Sequence, residues 1–135
     1  MSELEKVYKQ IESKRDEIID FVKSMIQARP VNPAYSKVDD ERECQRIIAD
    51  RLTRIKNIQM DEFDISLEEL EEFRDKPGFT TGFTDKMNFE NRPNILACLP
   101  GSDSENARSI ILTGHSDVVA ADNEEEWTYP PLLQL

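Results

Sequence analysis

A short apolar run that leads into the only histidine of the chain most constrains the fold. Residues 110–112 (Ile-Ile-Leu) are consecutive and partly β-branched, and Gly114 follows soon after them. This is the pattern of a strand buried on both faces, although the pattern alone leaves a buried helix open. Such a strand needs neighbouring strands beside it and helices over its faces, so the run predicts an α/β fold with a strand at about 109–113.

The residues just after this run have a chemical use. Because side chains alternate along an extended segment, His115 and Asp117 would lie on the same side, just beyond the strand end. Open α/β sheets build their sites at that place. A neutral imidazole binds a metal through one ring nitrogen, and a carboxylate can accept the N–H of the other nitrogen. The alternative is a histidine that caps a strand end, with an aspartate in the turn that follows.

The wider context resembles one enzyme family. Residues 112–119 (Leu-Thr-Gly-His-Ser-Asp-Val-Val), an acidic loop and Trp-x-x-Pro-Pro at 127–131 are together similar to the first active-site block of the M20 family of zinc metallopeptidases. That family includes aminoacylases, carboxypeptidases and deacylases of amino-acid derivatives. Residues 29–33 (Arg-Pro-Val-Asn-Pro) resemble its Pro-Ser-x-Asn-Pro-like segment, and the acidic insertion before Asn94 looks most like the arginine-utilisation branch.

The resemblance implies a fold, a cofactor and a substrate class. Residues 1–135 would be the N-terminal portion of a zinc-peptidase-like three-layer α/β/α catalytic domain, with the lid or dimerisation domain absent. His115 would be a metal ligand, and Asp117 would support it and be essential to catalysis. Zinc is the implied metal, two ions in a complete site, with cobalt or manganese as alternatives. The implied reaction is hydrolysis of an amide bond in a small peptide or N-acyl amino acid.

The number of metal ligands limits this interpretation. A catalytic zinc site takes three protein ligands and keeps an open position, whereas this chain has one histidine. Family members carry the remaining ligands and the glutamate base further along the chain. We therefore expect a truncated or frameshifted product, or a fragment, that is inactive alone. The alternatives are a non-catalytic remnant that binds a partner polypeptide and a small α/β binding module with an accidental His-x-Asp.

Hydrophobic periodicity and turn residues predict the other elements. Ser2 and Glu5 can form a capping box at the start of the first helix, and Asp39 or Asp40 can cap the second. A short apolar run, 94–99, lies close enough to 109–113 to form an antiparallel hairpin with it. The predicted helices are 3–29, 40–56 and the short 66–74, and the predicted strands are 58–65, 94–99 and 109–113.

Composition excludes several classes of protein. A net charge of −11 without a basic cluster opposes binding to nucleic acid or to an anionic membrane. The sequence has no apolar run near the ~20 residues of a membrane span, so a cytoplasmic location is the default. Cys44 and Cys98 are too few for a disulfide scaffold and are expected to be buried free thiols. Because few elements are available to cover 110–112, we expect self-association or a loosely packed monomer.

Overall fold

The structure is a computed structural model that describes residues 2–32, 36, 41–73, 76, 89, 92–101 and 106–132. These residues form helices and a two-stranded antiparallel sheet, which confirms the predicted α/β class. A 3₁₀ turn, Glu124–Glu126, lies near the end of the described chain. The main elements in chain order are α1 (Glu3–Ser13), α2 (Arg15–Gln27), α3 (Arg42–Leu52), β1 (Gln59–Phe63), α4 (Leu67–Glu71) and β2 (Asn94–Cys98).

The first predicted helix is two helices, because the chain breaks at Lys14. The predicted capping box is confirmed: Ser2 Oγ accepts from the Glu5 backbone N–H, and the Glu5 carboxylate accepts from the Ser2 N–H. At Lys14 the backbone leaves helical geometry, with φ −105° and ψ 9°. The Ser13 hydroxyl donates to the Gln10 carbonyl just before the break, a local bond that bends helices. The prediction of one helix over 3–29 was therefore wrong.

Helix α3 is shorter than predicted at both ends. It begins at Arg42, and its N-cap is Glu41, whose side chain makes no capping bond. The predicted caps, Asp39 and Asp40, lie outside the described residues. It ends at Leu52, and the chain then turns at Asn57, where φ is 65°. Asparagine tolerates this left-handed conformation better than most residues, which suits the turn into β1. The short predicted helix at 66–74 is present as α4, with Ser66 Oγ accepting from the Glu69 N–H.

The sheet pairs β2 with an unexpected partner. β1 and β2 run antiparallel, with Gln59 opposite Cys98 and Phe63 opposite Asn94. The strands predicted at 58–65 and 94–99 are thus present as β1 and β2, and both are shorter than predicted. The predicted hairpin between 94–99 and 109–113 was wrong, since β2 pairs with β1 and residues 109–113 form no strand in the described part of the chain.

Residues 109–113 do not form the predicted buried strand. They have no assigned secondary structure, and Ile110, Ile111 and Leu112 are 81%, 88% and 85% exposed. An apolar run becomes a buried strand only when neighbours cover both faces. Among the described residues no strand pairs with this run, and its side chains are left open to solvent.

Few hydrophobic side chains are buried in the part of the chain that the structure describes. Val31 and Cys44 form the fully buried core, beside the packed pair of helices α2 and α3. The Cys44 prediction is confirmed, but Cys98 is exposed because it ends an edge strand. The apolar stripe of α1 is also largely exposed; it includes Leu4, Val7, Tyr8 and Ile11. Within the described ranges, no helix is both long and apolar enough to cross a membrane.

Candidate functional site

A short parallel pairing ties the His-x-Asp segment to the chain that follows α2. The Asn32 N–H donates to the Val118 carbonyl and the Val118 N–H donates to the Pro30 carbonyl, both at 2.9 Å. Val31, between these two bonds, is only 2% exposed. The buried valine and its flanking bonds fix residues 30–32 beside residues 117–118. The segment with the family-like Pro-x-Asn sequence is thereby brought to the site.

The two predicted site residues lie in contact. His115 Nδ1 lies 3.1 Å from Asp117 Oδ1 and 3.0 Å from the Asp117 carbonyl oxygen. A carbonyl and an ionised carboxylate can only accept hydrogen bonds, so Nδ1 is the donor. In the neutral imidazole this leaves the lone pair on Nε2. The histidine side chain is 82% exposed, so Nε2 belongs to a ring that an ion or substrate can reach.

Asp117 is held from its other side. Asn32 Nδ2 donates to Asp117 Oδ2 at 2.9 Å, and the aspartate side chain is 27% exposed. The Asn32 bond is the main cause that lowers the pKa of Asp117; partial burial opposes it, and the charges of His115 and Arg92 assist it. The carboxylate is therefore ionised at neutral pH, as the role of hydrogen-bond acceptor requires.

Helix α3 supports the residue between the histidine and the aspartate. Gln45 Nε2 donates to Ser116 Oγ at 3.0 Å, and Ser116 also makes a side-chain hydrogen bond with Cys44. Burial is the main cause that raises the pKa of the Cys44 thiol, and the nearby Glu41 carboxylate adds to it. A thiol in this state stays protonated and is a poor nucleophile. Cys44 therefore packs against the site without taking part in its chemistry.

A buried ion pair lies beside this cluster. Arg92 Nε donates to Glu41 Oε1 at 2.5 Å, and the two side chains are only 14% and 8% exposed. The pair joins the residue before α3 to the residues before β2. The same arginine is near enough to Asp117 for its charge to lower the aspartate pKa. The guanidinium thus contributes to the electrostatics of the site as well as to its structure.

Two cavities meet at His115. The larger, about 460 Å³, is mainly apolar and lies between α2, α3 and β2. The smaller, about 150 Å³, is more polar. Gly114, His115 and Ser116 line both cavities, so the histidine lies at the boundary between an apolar groove and a small polar pocket. The other residues that line the polar pocket are Glu41, Gln45, Ile65, Phe89, Arg92, Pro93, Asn94 and Asp117.

The site fits one ligand of a metal ion. His115 presents Nε2, and its carboxylate partner is arranged as in metal sites that fix the imidazole tautomer. Among the residues that the structure describes, no three His, Cys, Asp or Glu side chains are grouped so that they could hold an ion. The acidic residues of Glu124–Glu126 form an exposed turn, as expected of a solvated loop. Further ligands would have to come from outside the described residues.

Comparison with known proteins finds short similarities that include two enzymes of the same name. A stretch of 43 residues, 32% of this chain, is 54% identical to an N-formyl-4-amino-5-aminomethyl-2-methylpyrimidine deformylase of Halalkalibacterium halodurans. A stretch of 39 residues, 29% of the chain, is 41% identical to the Bacillus subtilis protein of the same name. These stretches span 10% and 9% of the two relatives. No protein-family model and no solved structure matches the chain.

The structure brings the two predicted residues into contact, and the sequence did not predict the residues that support them. His115 and Asp117 are brought together, but the bond from Asn32 was not foreseen, although Asn32 is part of the family-like segment. The Gln45 bond to Ser116 and the Glu41–Arg92 pair were also missed. These contacts join residues 51 to 85 positions apart, and such separations leave no local pattern in a single sequence. The likeness of the Pro-x-Asn segment to a family segment was the one available signal.

Proposed function

We propose that the chain carries part of the active site of an M20-type, metal-dependent hydrolase that cleaves amide bonds of N-acyl or N-formyl compounds. The observation that carries the proposal is the His115 imidazole, whose Nδ1–H is bonded to Asp117 and whose Nε2 is left as a ligand. The deformylase relatives support the substrate class, because removal of an N-formyl group breaks an amide bond.

Each residue of the site has a defined part in this proposal. A zinc ion, or cobalt or manganese in its place, would supply Lewis-acid chemistry when held at His115 Nε2. Asp117 keeps the proton on Nδ1 and thereby keeps Nε2 free of one. The charge of Arg92 favours the ionised form of Asp117. The chain's own contribution is thus an oriented, unprotonated ligand atom.

The small polar cavity supports a compact acyl group as the part of the substrate nearest the histidine. Its volume of about 150 Å³ has room for a formyl or similarly small group, and His115 and Asp117 form part of its wall. The arginine-utilisation assignment depends on the acidic insertion before Asn94, part of which lies outside the described residues, and it stays a prediction.

A chimeric enzyme tests the proposal. Residues 92–132 of this chain would replace the equivalent residues of the H. halodurans deformylase, and hydrolysis of its formylated pyrimidine would be measured. We expect the chimera to retain activity and the same chimera with His115→Ala to lose about a hundredfold or more, because a ligand is removed. A His115→Ala chimera as active as its parent would refute the proposal and favour a binding module.

The isolated 135-residue chain should behave differently from the chimera. With one histidine in the sequence and no metal-binding group of three among its described residues, it should show no appreciable turnover of dipeptides, N-acyl or N-formyl amino acids with zinc or cobalt. The measurement is product release over a substrate panel. Turnover that His115→Ala abolishes would show that the chain assembles a complete site.

A further inference from the structure

Asn32 makes two separate bonds to the segment that carries the site. Its backbone N–H donates to the Val118 carbonyl at 2.9 Å, and its side-chain Nδ2 donates to Asp117 Oδ2, also at 2.9 Å. The buried Val31 beside it holds the backbone in this place. The amide is therefore delivered to the carboxylate by a fixed backbone and not by a loose surface chain.

We propose that Asn32 is a positioning residue that sets the tautomer of His115 through Asp117. By binding Oδ2, the amide turns Oδ1 toward Nδ1 of the histidine and keeps it there. The proton is then retained on Nδ1, and the lone pair of Nε2 faces outward. This inference rests on the proposed function only in taking Nε2 as the atom that binds a metal.

The geometry of the carboxylate explains why a second bond is needed. An aspartate side chain can rotate about its Cβ–Cγ bond, and either oxygen, both or neither can face the imidazole. The Asp117 carbonyl also accepts from Nδ1, but the exposed ring can turn away from it. A donor on Oδ2 removes this freedom because it fixes the plane of the carboxylate. Asn32 is well suited to this, since its amide donates without introducing a charge that would compete with the imidazole.

The test reads the tautomer directly. The chain has a single histidine, so the two ring ¹⁵N resonances in an NMR spectrum belong to His115 without ambiguity. Spectra would be recorded without metal, at an alkaline pH where the imidazole is neutral. In the native chain we expect the proton on Nδ1. In Asn32→Asp, which keeps the shape but loses the donor, and in Asn32→Ala, we expect the Nδ1–H form to become the minor one.

The matched control is Gln45→Glu. This change also replaces an amide by a carboxylate near the site, but the amide it removes bonds to Ser116 and not to Asp117. In Gln45→Glu, the His115 tautomer should be the same as in the native chain. A shift equal to that of Asn32→Asp would show a general effect of charge and overturn the proposal.

Contacts between Val31 and Val118, read from nuclear Overhauser effects, show whether the parallel pairing survives. A native tautomer in either Asn32 variant with this pairing intact would overturn the proposal. Loss of the pairing in both variants would also overturn it, because Asn32 would then act on the backbone alone. Since no metal or substrate is present, these outcomes are independent of the chimera experiment on the proposed function.

Discussion

The apolar run 110–112 and the pair His115 and Asp117 are neighbours in sequence, yet their surroundings in the structure are opposite. The run is more than 80% exposed and has no assigned secondary structure. The pair is in hydrogen-bond contact and is joined to residues 30–32 by the parallel pairing. Asp117 is further held by Asn32, whose position is fixed by that pairing.

The difference shows which kinds of prediction depend on distant parts of a chain. The contact between His115 and Asp117 follows from their spacing of two residues in an extended segment, so local geometry is enough. Burial of the run depends on strands and helices from elsewhere, and none of those that the structure describes covers it. A local chemical motif is therefore safer to predict than a buried strand.

The largest effect is expected from breaking the buried ion pair that supports the site. Arg92→Met leaves the Glu41 carboxylate in a largely buried place without its guanidinium. The free energy of unfolding should fall by about 3 kcal/mol, the usual effect of removing one partner of a buried ion pair. Urea denaturation measures it, with Arg54→Met, an exposed arginine on α3's C-terminal side, as the control. Equal losses in both variants would show that the pair contributes nothing specific.

The next prediction compares the buried pairing at Val31 with the exposed run 110–112. Val31→Ala removes two methyl groups from a side chain that is 2% exposed and should reduce stability by about 2 kcal/mol. Ile111→Ala, at a side chain that is 88% exposed, should change it by less than about 0.5 kcal/mol. Urea midpoints for both variants give the comparison. A larger loss at Ile111 would mean that the run is covered in solution.

The same contrast explains how much the sequence reveals. The capping box at Ser2, the helices and the position of β2 were predictable because caps and periodicity are local. The break at Lys14 and the pairing of β2 with β1 are not marked by such local signals. The supports of the site, Asn32 and Arg92, act across long separations. Nothing in the local sequence distinguishes these two side chains from those of ordinary surface residues.

We expect the exposed apolar run 110–112 to make the chain self-associate. Contiguous apolar surface drives association, and an extended segment offers unpaired backbone groups to a second chain. We expect the mass measured by light scattering to rise with protein concentration, and to rise less in Ile111→Lys. A constant monomeric mass together with a sharp two-state melt would instead indicate a complete small domain and contradict this expectation.

A smaller effect is expected in the pH dependence of stability, to which Asp117 contributes. The folded pKa of Asp117 is below its ordinary value of 3.8, so its contribution to stability is present above that value and is lost as pH falls through the folded pKa. Asp117→Asn should therefore show a shallower loss of stability between neutral pH and about pH 3. Urea midpoints at several pH values provide the test. Parallel curves for both proteins would mean that Asn32 does not favour the ionised carboxylate.

The proposal that His115 binds metal through Nε2 is tested most directly by a zinc titration followed by the ring ¹⁵N resonances of His115. We expect zinc to shift the Nε2 resonance while Nδ1 keeps its proton, and we expect both effects to be lost in Asp117→Ala. Affinity should be weaker than micromolar, because one imidazole with a supporting carboxylate does not enclose an ion. Binding of zinc at Nδ1, or no response of the ring while zinc binds elsewhere, would contradict the assignment of His115 Nε2 as the metal-binding atom.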